Sequence, residues 1–213
     1  MENVLKNYNL IKQEISDKKN VKLVAVSKTF PISHILPVIN EGHNDFGENK
    51  VQEALEKWAS IKQDFPKIKL HLLGKLQTNK VKFVLPLFDY IHSLDNFKLA
   101  DKISEQQNKK KFKPKMFIQV NIGNEPQKGG VDEADLENFY RKCIEEFNLN
   151  IIGLMSIPPF NKDSLTYFKK MNELSNNLGL TEISMGMSND YLEAIKQGST
   201  FIRIGSKIFG SRD

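Results

Sequence analysis

Short apolar runs recur along the chain, and between them apolar residues fall three and four positions apart. The first run, residues 21–28 (VKLVAVSK), is rich in valine and closes on Lys28, after which Thr29-Phe30-Pro31 breaks the pattern. Continuous apolarity over so short a stretch predicts a strand buried on both faces. Seven further stretches read as strands, at residues 44–49 (a short strand and loop), 69–73, 90–93, 116–121, 150–155, 182–185 and 201–204. The intervening stretches carry the helical period. Ahead of the first strand, residues 4–18 place Val4, Leu5, Tyr8, Ile11 and Ile15 on one face. Helices are then predicted over 32–40, 51–61, 79–85, 97–107, 132–147, 163–178 and 190–196. Pro37 predicts an irregularity in the first of these, and Asp132 an aspartate cap on the fifth.

Eight strands alternating with helices, with no linker to divide them, predict a parallel (β/α)8 TIM barrel with an extra N-terminal helix, as one domain over residues 1–213. An open doubly wound sheet is the alternative, weakened because no G-x-G-x-x-G fingerprint follows the first strand. A length of 213 residues suits one domain of either kind.

Composition narrows the class. No apolar run approaches the roughly 20 residues that cross a bilayer. The opening residues, Met1 to Asn7, lack the apolar centre of a signal peptide. Cys143 is the only cysteine, so no intramolecular disulfide forms, consistent with a reducing cytoplasm. The net charge of +5 is weak grounds for nucleic-acid binding, because 31 basic residues include only three arginines (Arg141, Arg203, Arg212) and the lysines are dispersed. The one cluster, residues 109–115, reads as a solvated loop. His34, His43, His71 and His92 show no metal-ligand spacing.

In a (β/α)8 barrel the site lies at the C-terminal ends of the strands. Those ends supply Lys28, Asn49, Gly74-Lys75-Leu76-Gln77, Asn121, Met155-Ser156, Gly186-Met187-Ser188 and Arg203-Ile204-Gly205-Ser206. Carboxylates are almost lacking, and no Ser/His/Asp set or acidic pair appears, which argues against hydrolase and glycosidase chemistry. Lys28 reads either as a surface lysine with its ammonium in water or as a desolvated amine able to form a Schiff base. The two Gly/Ser turns, at Gly186 to Ser188 and at Gly205-Ser206, follow the seventh and eighth strands, the usual phosphate position in this fold. Gly205 and Ser206 also open a short final helix. Arg203, in a chain that otherwise prefers lysine, suits either a planar, permanently charged fork at the site or a structural ion pair.

Six blocks in order carry a resemblance over nearly the whole chain. They are VAVSK (24–28), FGEN (46–49), HLLGKLQTNK (71–80), GLMSIP (153–158), SMGMSND (184–190) and FIRIGSKIFGSRD (201–213). The chain resembles the YggS/PROSC family of pyridoxal 5′-phosphate (PLP) homeostasis proteins, which is similar to the barrel domain of alanine racemase, PLP fold type III. The resemblance implies PLP as an internal aldimine on Lys28, its phosphate held by Ser188, Gly205 and Ser206, and its pyridine nitrogen faced by Arg203. Asn49 and Met155 match family positions near the ring. Two departures are visible. Gln127-Lys128-Gly129-Gly130 keeps the lysine and last glycine of the family's Ser/Thr-Lys-x-Gly loop without its hydroxyl, and Asn189-Asp190 replaces the usual Asp-Asp.

An arginine at the ring nitrogen keeps its proton, which weakens PLP as an electron sink. A racemase adds a second acid/base on the other ring face, and this sequence stops at Asp213 without a second domain to offer one. The expectation is a cytoplasmic, monomeric carrier that supplies PLP to apo PLP-dependent enzymes without turnover, and that binds neither nucleic acid nor membrane. A PLP-dependent amino-acid racemase or lyase of the same fold type is the alternative. A Schiff-base aldolase acting on a sugar phosphate is a third reading.

Overall fold

The computed structural model describes residues 2–159 and 163–210. The last three residues of the closing motif, 211–213, lie outside the described residues. Eight parallel strands close a barrel in chain order: β1 (Lys22–Val26), β2 (Asp45–Glu48), β3 (Lys69–Leu72), β4 (Tyr90–Leu94), β5 (Lys115–Gln119), β6 (Ile151–Met155), β7 (Glu182–Ser184) and β8 (Phe201–Ile204). β8 returns to β1, pairing Lys22 with Phe201 and Ala25 with Ile204. Around them run α1 (Glu2–Glu14), α2 (Ile32–Asn40), α3 (Val51–Asp64), α4 (Val81–Val84), α5 (Phe97–Lys110), α6 (Leu136–Glu145), α7 (Ser164–Asn177), α8 (Tyr191–Lys196) and α9 (Ser206–Phe209). The fold is the (β/α)8 barrel with an N-terminal helix that the alternation predicts.

Strand alternation sorts the core into two parts, since successive side chains leave opposite faces of the sheet. Outward positions such as Leu23, Phe46, Leu70, Ile91, Ile118, Leu154 and Ile202 join the helices in one large buried cluster. Val24, Tyr90, Phe117, Met155 and Phe201 form a second, smaller one that fills the barrel interior. The interior is therefore packed, leaving the mouth as the place where side chains can meet solvent.

Local departures from the periodicity have local causes. Pro37 falls within a continuous α2, where it removes a single amide donor. Asp132 caps nothing: Val131 bridges Val120, so the chain is still extended there, and a 3-10 turn (Glu133–Asp135) intervenes before α6. Asp163, by contrast, does cap α7, accepting from the Leu165 amide at 3.1 Å. None of the described helices is long and apolar enough to cross a membrane.

Candidate functional site

β1 ends at Val26, and Ser27 and Lys28 continue past it as a loop held from below. The Ser27 amide donates to Gly47 O at 3.0 Å and its hydroxyl to Glu48 Oε1 at 2.7 Å. Lys57 Nζ, from α3, donates to Ser27 O at 2.9 Å, and the Thr29 amide donates to Glu53. Thr29 takes φ 70°, a left-handed turn that a non-glycine residue adopts only when its surroundings insist. These bonds place a half-buried Lys28 at the barrel mouth. On the neighbouring strand, Asn49 follows Glu48 directly. Gly74 lets the β3 loop pass close to it, for a Cβ at that position would lie 2.2 Å from Asn49 O.

The mouth encloses a cavity of about 450 Å³. Lys28, Asn49 and Met155 line it from β1, β2 and β6, and Ser188, Arg203, Gly205 and Ser206 from the last two strands. All seven residues singled out from the sequence thus meet in one place. Gly186, at φ 88°, makes the turn that carries Ser188; a Cβ there would lie 2.6 Å from the Ala194 methyl. Ser206 Oγ donates to Ser188 Oγ at 3.1 Å, and the Lys207 amide donates to the same oxygen at 3.3 Å. Two hydroxyls and a backbone N–H therefore converge at the start of α9. Lys207 Nζ in turn bonds Tyr191 Oη at 2.6 Å and Glu14 at 3.2 Å, fastening α9 to α8 and α1.

Arg203 is buried, at 5% exposure, and both terminal nitrogens of its fork are engaged. Nη1 donates to Ser184 Oγ at 2.7 Å and Nη2 to Ser156 O at 2.9 Å. Burial pulls the guanidinium down to about 10, still well above neutral pH, so it remains a cation. No ion pair forms around it among the described residues, which removes the structural reading that the sequence left open. The loop with the altered Gln127-Lys128-Gly129-Gly130 motif buttresses the wall: Lys128 Nζ donates to Pro158 O at 3.2 Å, and Pro158 lines the cavity.

Behind Arg203 stand groups that local sequence reading passes over. Ser184 Oγ contacts His92 Nδ1 at 2.9 Å, His92 Nε2 contacts His71 Nδ1 at 3.0 Å, and His71 Nε2 contacts Asp45 Oδ1 at 3.0 Å. The signal available in the sequence was parity: His71 and His92 fall in apolar strands at the positions that share the inward face with Tyr90.

The chain matches the family model for the alanine racemase N-terminal domain over residues 1–213. It is 40% identical over 200 residues to the pyridoxal phosphate homeostasis protein of Aquifex aeolicus, covering 90% of this chain and 87% of that one. With the protein of the same name from Escherichia coli the identity is 33% over 204 residues, covering 92% and 87%. The chain belongs to the pyridoxal phosphate homeostasis protein family. A solved structure of another protein similar to this family member, PipY of Synechococcus elongatus with PLP bound, superposes with a TM-score of 0.88 at 34% identity, covering 97% of this chain and 100% of that one. Alanine racemase from Corynebacterium glutamicum, at 17% identity and a TM-score of 0.71 over 98% of this chain and 60% of that one, has the same barrel fold.

Proposed function

We propose that the cavity holds PLP, tethered covalently by Lys28, and that the protein stores and supplies the cofactor without turning over a substrate. The observation that carries the reading is the meeting of Lys28, Arg203 and the Ser188–Ser206 hydroxyl pair around one cavity. The donor set fits the group in three places. A primary amine suits an aldehyde, a buried donor-only cation suits a ring nitrogen, and hydroxyls with a backbone N–H suit a phosphate. Asn49 offers an amide beside the ring, and Met155 a buried apolar wall. PLP when bound supplies an electrophilic aldehyde and an electron-withdrawing ring.

The chain's own residues favour holding over turnover. Arg203 keeps its proton at neutral pH, so it donates a hydrogen bond to the ring nitrogen without protonating it. A second proton carrier is also wanting: among the described lining residues the other titratable side chain is Asp190, whose Oδ1 accepts from the Met187 amide at 2.7 Å. Lys28 would supply the amine that holds the aldehyde reversibly, so that a competing amine from an apo-enzyme would take the cofactor over and leave Lys28 free again. The protein does this as a cytoplasmic monomer, its partners being apo forms of PLP-dependent enzymes. Its one cysteine, Cys143, has no second cysteine to pair with, which fits that compartment.

Borohydride reduction of PLP-loaded protein followed by peptide mapping is expected to place a pyridoxyl group on Lys28. Recovery on another lysine, or no recovery, would sink the proposal.

A further inference from the structure

The hydrogen bonds behind Arg203 run in one direction. A guanidinium has donors and no acceptor, so Ser184 Oγ accepts from Arg203 Nη1 and its own O–H is left for His92 Nδ1. His92 then carries its proton on Nε2 and donates to His71 Nδ1. His71 likewise carries its proton on Nε2 and donates to Asp45 Oδ1, a carboxylate that only accepts. Every donor meets an acceptor, and the order cannot reverse, because neither end offers the opposite role. Asp45 opens β2 and Arg203 lies near the end of β8, so the chain runs from the N-terminal end of the barrel to its mouth.

We infer that Asp45, His71, His92 and Ser184 are positioning residues, a one-way hydrogen-bond chain through the barrel that fixes Arg203 in the cavity. The link to cofactor retention rests on the reading of the cavity as a PLP site; the chain of bonds does not. Aromatic neighbours keep the two histidines dry and neutral. His71 stacks on Tyr90 at 4.2 Å and His92 on Phe117 at 4.3 Å between ring centroids. Burial lowers both histidines, His92 well below its ordinary range, while Asp45 is held low against its burial by His71 and by Lys22, 3.6 Å away. A proton added to His71 would set its Nδ1–H against the Nε2–H of His92, so each ring enforces the tautomer of the next.

The test uses the full chain labelled with ¹⁵N-histidine. At neutral pH, without PLP, both His71 and His92 are expected as neutral Nε2–H tautomers. In Asp45→Asn the His92 nitrogens are expected to shift, although Asp45 touches only His71. A ring protonated at Nδ1, or His92 signals that stay put, would overturn the chain. Should Asp45→Asn fail to fold, Ser184→Ala reads the same coupling in reverse, through the His71 nitrogens. In the second arm, Ser184→Ala is expected to retain PLP about tenfold more weakly and to shift the absorbance band of bound PLP, with Ser184→Thr restoring both. Unchanged affinity and band in a folded Ser184→Ala would overturn the positioning role. A parent protein that takes up no PLP would overturn the reading of the cavity instead, and the histidine tautomers would still decide the chain.

Discussion

Lys57 Nζ lies 3.0 Å from Glu48 Oε1, and the carboxylate is wholly shielded from solvent. The same oxygen accepts from Ser27 Oγ at 2.7 Å and Trp58 Nε1 at 2.9 Å, while Lys57 also reaches Ser27 O and Glu53. Breaking a buried pair by removing one partner leaves an uncompensated charge, which typically costs about 3–5 kcal/mol. Lys57→Met is therefore expected to destabilise the protein by about that amount in urea denaturation. Adding Glu48→Gln should restore much of the loss, because the stranded charge is then gone. Equal stability of Lys57→Met and the parent would show that the pair does not anchor the Lys28 loop.

The hydroxyl pair at the start of α9 makes a prediction specific to one end of the ligand. Ser188 Oγ receives both Ser206 O–H and the Lys207 amide. If the pair holds the phosphate as proposed, Ser188→Ala removes one hydrogen bond to a charged group, worth about 1.5–3 kcal/mol, or at least about tenfold in affinity. PLP retention should weaken by that factor, measured by fluorescence titration. Pyridoxal, which has the aldehyde and ring without the phosphate, should bind parent and variant alike. An equal loss for both ligands would mean that Ser188 acts on the cavity as a whole.

Three buried histidines set the acid response. Burial pulls His43 from 6.5 down to about 4, and lowers His71 and His92 as well. His43 Nε2–H donates to Asp45 O at 2.9 Å while Tyr8 Oη faces its Nδ1 at 3.4 Å, so the neutral ring is satisfied where it sits. The unfolded chain takes up protons near 6.5 that the folded chain refuses. Stability is thus fully present above that value and is lost as pH falls towards about 4. Each histidine contributes up to about 1.4 kcal/mol per pH unit within its window. Urea midpoints should fall steadily from about pH 7 to about pH 5, and less steeply in His43→Leu. A flat profile across that range would contradict the assignment.

How much of this was legible beforehand varies with the range of the interactions. Strands and helices were readable because burial on two faces, or on one stripe, writes itself into local periodicity. The residues at the mouth were readable too, because the fold alone says that strand ends converge there. Boundaries were less so. Lys28 reads as the last residue of a strand that in fact ends at Val26, since the bonds that bend Ser27 and Lys28 away come from Glu48, Glu53 and Lys57, 20 or more residues on. Asp132 reads as a helix cap, but pairing of Val131 with Val120 keeps that stretch extended. His71 and His92 stood out as polar exceptions in apolar strands, yet which partners they meet depends on the closed barrel, which brings Ser184 of β7 across to β4.

The balance between holding and turnover gives the last prediction. Exchange of an amino acid's α-proton needs a strong electron sink and a base placed to take the proton. On the proposed reading, Arg203, held near 10 by burial and locked to Ser184 and Ser156 O, would keep its proton rather than give it to the ring nitrogen at neutral pH, leaving the sink weak. Asp190, the other titratable side chain among the described residues lining the cavity, accepts from the Met187 amide through Oδ1 and is thereby tied to the turn that carries Ser188. Incubating the PLP-loaded protein with L-amino acids in deuterated water at neutral pH should therefore give α-deuteration no faster than free PLP alone, followed by proton NMR. Multiple turnovers of exchange, or of racemisation, would establish an amino-acid enzyme on this barrel and overturn the carrier reading, while leaving the tether on Lys28 intact.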